Sequence, residues 1–98
     1  MYNSKWSEKA AERLMQIADY IALDAPNAAL RWTDTIISKE DIILNNPKIG
    51  RIVPEIGKDS IRELIIGNYR LIYEIHDNTI IFLTIMNCRE LMFNIIIE

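Results

Sequence analysis

Ninety-eight residues, half of them apolar and about a quarter charged, suffice for one hydrophobic core and exclude a disordered chain. Fourteen acidic residues against eleven basic ones leave a net charge of −3, which weighs against a protein that grips nucleic acid chiefly through phosphates. Cys88 is the only cysteine, no apolar run approaches the roughly 20 residues of a bilayer span, and the start Met1-Tyr2-Asn3-Ser4-Lys5-Trp6 lacks a leader's apolar core, so a cytoplasmic protein without disulfide or membrane segment is expected.

The chain opens on residues 2–6, a short mixed stretch in which Tyr2 and Trp6 are the inward anchors of a first strand. Ser7 then caps a helix whose first turn holds Glu8, a negative charge at the positive end of the dipole. Ala10, Leu14, Ile17, Ala18 and Ile21 recur at spacings of three and four and mark its buried face. Glu8, Lys9, Glu12, Arg13 and Gln16 lie opposite, and the helix is expected to end near Leu23. Asp24-Ala25-Pro26 breaks it, and Pro26 suits the first position of a second helix, where its missing N–H needs no partner. Ala28, Trp32, Ile36 and Ile43 carry that helix's apolar face, and Pro47 stops it near Asn45-Asn46. Two helices joined by so tight a break form an antiparallel hairpin.

Residues 47–60 hold two of the three prolines and two of the three glycines, a loop long enough to be functional rather than merely connecting. Residues 61–66 and 69–76 flank Gly67-Asn68, a two-residue hairpin signal in which glycine supplies the positive φ. Asp77-Asn78 turns the chain again into residues 79–85, which are apolar on both faces and therefore belong in the middle of the sheet. Leu91 to Ile97 form either one more strand or an apolar tail. The expectation is a single α+β domain over residues 1–98, ordered β-α-α-β-β-β. An N-terminal strand precedes an antiparallel helical hairpin packed on a mainly antiparallel sheet of three to five strands.

Three pieces carry a resemblance: Gly50-Arg51-Ile52-Val53-Pro54-Glu55, then Ile61-Arg62-Glu63-Leu64, then Gly67-Asn68-Tyr69-Arg70-Leu71-Ile72-Tyr73-Glu74-Ile75. In this order, behind a Trp-Ser-Glu-Lys-Ala opening and two helices, the chain resembles the ParE/RelE superfamily of plasmid-stabilisation toxins from about residue 4 to residue 89. The resemblance implies a RelE-like fold, no cofactor, and the toxin role in a type II toxin–antitoxin pair that arrests growth until a cognate antitoxin neutralises it in a hetero-oligomer. Ile-Arg-Glu-Leu and Gly-Asn-Tyr-Arg lean towards the ParE branch, whose members bind and inhibit DNA gyrase. RelE-like nucleases, which cut mRNA on the ribosome, carry lysines where this chain has Ile61 and Glu63. The ParE-like histidine three residues before the late arginine is Met86 here, which leaves room for a degenerate member without toxicity.

On the nuclease alternative, Arg70 and Arg89 would act on the substrate phosphate, because cleavage through a 2′-hydroxyl needs cations for the charge that builds on phosphorus. A base and an acid are harder to name: His76 is the only histidine and sits at a turn beside Asp77. Arg70 points away from Tyr69 and Leu71, so it is equally suited to pair with Glu63 or Glu74 across the sheet. Arg51, Arg62, Tyr73 and Phe93 are the candidates for target or antitoxin contact. Arg51 fits a solvated loop as well, and Tyr69 and Tyr73 fit core packing with wet hydroxyls. Cys88, without a histidine partner, reads as a small buried side chain. Trp6 and Trp32 read as core, and nothing in the sequence has the spacing of a metal site. An antitoxin is expected to lay an amphipathic segment over the helical hairpin and to add a strand at the sheet edge, since the tail from Leu91 is apolar.

Overall fold

The computed structural model describes residues 1–92, so Phe93 and most of the apolar tail lie outside the described residues. Its elements are β1 (Asn3–Trp6), α1 (Glu8–Ala22), α2 (Pro26–Asn45), a 3-10 turn (Pro47–Ile49), β2 (Arg51–Ile52), β3 (Ile61–Ile66), β4 (Tyr69–His76) and β5 (Thr79–Asn87). Among the described residues the sheet is five-stranded, in the order β1-β5-β4-β3-β2. β1 runs parallel to β5 and every other pairing is antiparallel. This is the expected α+β arrangement, with the short edge strand β2 added inside what the sequence presents as loop.

Local chemistry sets each boundary. The Ser7 hydroxyl accepts from the Ala10 N–H at 3.0 Å and donates to the Leu83 carbonyl at 2.9 Å, so one side chain caps α1 and ties it to β5. Pro26 occupies the first position of α2. Gly67 supplies φ +59° at the tip of the β3–β4 hairpin, and Asp77 takes φ 53° in the next turn.

α1 and α2 lie against one face of the sheet. There Ala10, Ile17, Ile36 and Ile43 meet Ile66, Leu71, Tyr73, Ile80, Phe82 and Ile85. Trp6 stacks on Phe82 at 4.7 Å, and Trp32 meets Tyr69 edge-on at 5.5 Å, as core residues do. In α2 the fully inward alanine is Ala29; Ala28 sits half-buried on the shoulder of the face.

The opposite face carries a smaller apolar group of Val53, Ile61, Ile72 and Met86, flanked by Ile56, Leu83 and Met92. A register irregularity makes both faces possible. Tyr73 pairs with Phe82 and Ile72 with Thr84, which leaves Leu83 as an extra residue in β5. Strict alternation would put Phe82 and Ile85 on opposite faces; the bulge turns both towards the helices.

Candidate functional site

The face away from the helices concentrates the charged chemistry. Glu63 lies in β3 and Arg70 in β4, two residues diagonally displaced across the hairpin (Glu63 pairs Ile72, Arg70 pairs Ile65). That spacing brings Arg70 Nε to 2.5 Å from Glu63 Oε1, so Glu63, not Glu74, is the arginine's cross-strand partner. The loop supplies the rest. Glu55 accepts two hydrogen bonds from the Arg70 fork, at 2.9 and 2.7 Å, and Arg51 Nε reaches the second oxygen of Glu63 at 2.5 Å. The result is a chain of alternating charge, Arg51–Glu63–Arg70–Glu55.

Burial orders these groups. Glu63 and Arg70 are 1% and 6% exposed, whereas the Glu55 side chain is 42% and the Arg51 side chain 63% exposed. Two carboxylates push the Arg70 guanidinium above its ordinary range, with hydrogen bonding to Glu55 the largest cause. In return, hydrogen bonding to Arg70 holds the Glu55 carboxyl down at about 2.

The loop that brings in Arg51 and Glu55 is braced from below. The Tyr73 hydroxyl donates to the Pro47 carbonyl at 2.6 Å and accepts from the Gly50 N–H at 3.0 Å. Gly50 is required by space: a Cβ there would stand 2.5 Å from that hydroxyl and 2.6 Å from the Glu63 carbonyl oxygen. Arg62 joins the loop's two ends, donating to the Gly50 carbonyl at 2.9 Å and to Asp59 Oδ1 at 2.7 Å.

Beside Arg70 an open depression of about 580 Å³ is lined by Glu55, Arg70, Cys88, Arg89, Glu90, Leu91 and Met92. Arg89 is exposed on its wall, in the turn after β5. Arg13 secures that turn from α1: its Nε donates to the Ile85 carbonyl at 2.8 Å and it pairs with Glu90, whose carboxylate also accepts the Asn87 N–H.

Four of the sequence expectations change here. Tyr73 is wholly buried and its hydroxyl is dry, so it braces the loop and presents nothing to a partner. Cys88 is exposed rather than buried, because β5 ends at Asn87 and the chain has already left the sheet. Arg51 keeps a largely exposed side chain, as a loop arginine does, although its Nε is engaged by Glu63, and the mostly buried Arg62 ties the loop's two ends together. Arg70 and Arg89 do share one depression, but Arg70 enters it already engaged by two carboxylates. His76 is exposed at its turn, and Met86 is buried under the loop. Among the described residues no group of three or more histidine, cysteine or acidic side chains forms a metal site. Glu55 has no role among the sequence expectations; its only signal there is its place in the Gly50–Glu55 stretch, and the structure sets it on Arg70.

A family model described as "ParE toxin of type II toxin-antitoxin system, parDE" matches residues 4–92. The chain belongs to the ParE toxin family. Two solved structures share the fold. One is the chromosomal ParDE system of P. aeruginosa, at 22% identity and a TM-score of 0.74, covering 89% of this chain and 96% of that one. The other is the RelBE2 toxin–antitoxin complex of Mycobacterium tuberculosis, at 19% identity and a TM-score of 0.51, covering 88% of this chain and 96% of that one. A search of curated proteins gave no match. In this ParE-family chain, no helix among the described residues is long and apolar enough to cross a membrane.

Proposed function

We propose that this ParE-family toxin acts by binding its target, DNA gyrase, and performs no chemistry of its own. The observation that carries the reading is the state of Arg70. A guanidinium that is 6% exposed and donates from each of its three nitrogens to Glu63 or Glu55 is closed to a scissile phosphate while Glu55 is in place. Glu55, the carboxylate nearest that position, is held at about 2, and so strong an acid is a poor general base at neutral pH. His76 is remote at the far end of β4, and Met86 stands where the family's late histidine would be. The net charge of −3 agrees with a protein target better than with RNA.

The toxin is neutralised in the cytoplasm by a cognate antitoxin that covers the helical hairpin. Met15, Tyr20, Leu23, Leu30 and Ile37 are all more than half exposed on or beside α1 and α2, an apolar surface of the kind that partners bury.

Two assays run side by side test this. Purified toxin is expected to inhibit supercoiling by gyrase and to leave transcripts intact in a ribosome-containing translation mixture. Codon-positioned cuts with normal supercoiling would replace the reading with RelE-like cleavage. Neither effect, together with unimpaired growth on expression, would identify a degenerate member.

A further inference from the structure

Of the four charged groups in the network, Glu55 is placed differently from the rest. Glu63 and Arg70 project from adjacent strands and are fixed by the sheet register. Glu55 projects from the bend between Val53 and Gly57, closed by hydrogen bonds from the Ile56 and Gly57 N–H groups to the Val53 carbonyl. Val53 anchors the bend as a fully buried side chain, while Pro54, Glu55 and Gly57 are exposed. Its carboxylate meets the guanidinium bidentately, the geometry by which arginine takes any carboxylate or phosphoryl group. The exposed carboxylate of the pair also lines the depression whose wall carries Arg89, and so stands between Arg70 and solvent.

We propose that Glu55 is an exchangeable internal plug: it occupies an oxyanion site formed by Arg70 and Arg89, and that site accepts an external carboxylate or phosphoryl group when Glu55 swings out. The buried side of Arg70 stays satisfied by Glu63 throughout, so the exchange replaces one ligand without opening the core. Driving it is the cost of the alternative. A nearly buried guanidinium that loses an acceptor carries unmet donors, and any oxyanion that reaches it removes that cost. Because Glu55 stays charged at all ordinary pH values, competing anions rather than protons control the exchange. The inference concerns anion occupancy alone and stands whether or not gyrase is the target.

Thermal unfolding of the full chain tests it, because a ligand that binds only the folded state raises the melting temperature with its concentration. Inorganic phosphate and acetate are titrated separately at ionic strength matched with chloride, to tell phosphoryl from carboxylate recognition. In Glu55→Ala the favoured anion is expected to raise the melting temperature saturably and to bind at least tenfold more tightly than to the wild type. Adding Arg89→Gln should abolish most of that gain. Should Glu55→Ala fold only when the anion is present, that rescue supports the proposal. Should it fold in neither condition, Glu55→Asp, whose carboxylate is one methylene short of Arg70, is expected to show the same anion dependence. A folded Glu55→Ala that responds to neither anion beyond the wild type overturns the proposal. So does a gain that persists in full without Arg89, or an anion-insensitive Glu55→Asp where Glu55→Ala does not fold.

Discussion

On the helix side of the sheet, Leu71, Ile80 and Phe82 meet Ile17, Ile36 and Ile43, and no buried member of that group carries a charge. On the other side, Ile72 and Met86 share their face with Glu63 and Arg70. Removing apolar area from water is favourable in proportion to the area and indifferent to direction. Burying an ion pair returns little net stability, because desolvation offsets most of the attraction, yet it fixes which groups meet and at what angle. The two faces thus divide the work: one holds the fold together, and the other holds the loop of residues 50–60 in a defined place.

Four measurements strain that division. Phe82→Ala removes a fully buried ring between Trp6 and Tyr73 and is expected to cost about 3–5 kcal/mol in urea unfolding. Glu63→Ala leaves Arg70 and Arg51 without their shared acceptor, at a cost of about 3 kcal/mol. The sharper version is the pair Glu63→Leu with Arg70→Met. By the argument for buried ion pairs it should return to within about 1 kcal/mol of the wild type or exceed it. If the double variant is as unstable as the single one, the charged face is a source of stability and the comparison fails. Gly50→Ala presses a methyl into the Tyr73 hydroxyl and the Glu63 carbonyl, and a loss of about 1–3 kcal/mol is expected in the same assay.

The smallest effect concerns pH. The Glu55 carboxyl is lowered from 4.5 to about 2, so its stabilising contribution is complete above pH 4.5 and is lost as pH falls from there through 2. With the side chain 42% exposed, solvent screening limits the contribution to about 1 kcal/mol or less. Urea midpoints of wild type and Glu55→Gln should differ at pH 6, draw together below pH 4.5 and converge only below pH 2. A gap that stays constant across that range would show that Glu55 acts by packing rather than by charge.

The parts legible in the sequence are those whose signal is local. Ser7 before Glu8, Pro26 after a break, Gly67-Asn68 and Asp77-Asn78 each impose a backbone geometry within a few residues, and each stands where expected. The Glu63–Arg70 pair was half legible: strand parity places Arg70 on the right face, but Glu74 satisfies the same parity and only register separates the two. Three features were out of reach. The extra residue at Leu83 leaves no pattern in a run of apolar side chains. The Tyr73 hydroxyl meets Pro47 and Gly50 across 26 and 23 positions, and Glu55 meets Arg70 across 15. Contacts that depend on how a loop folds back over a sheet are set by packing, which periodicity does not encode.

The parallel pairing of β1 with β5 sets a schedule for the growing chain. Asn3 takes its register from Thr79, and Trp6 from Phe82, so the first strand made waits for β5, the last among the described residues. At roughly 5–20 residues per second, the 76 positions between them take on the order of 4–15 s to synthesise. Throughout that interval Trp6 lacks the ring it stacks on, Ser7 lacks the Leu83 carbonyl, and α1 lacks the strand beneath it. The nascent toxin therefore becomes a closed domain only once β5 is made, and a neutralising partner already present has that interval in which to meet it.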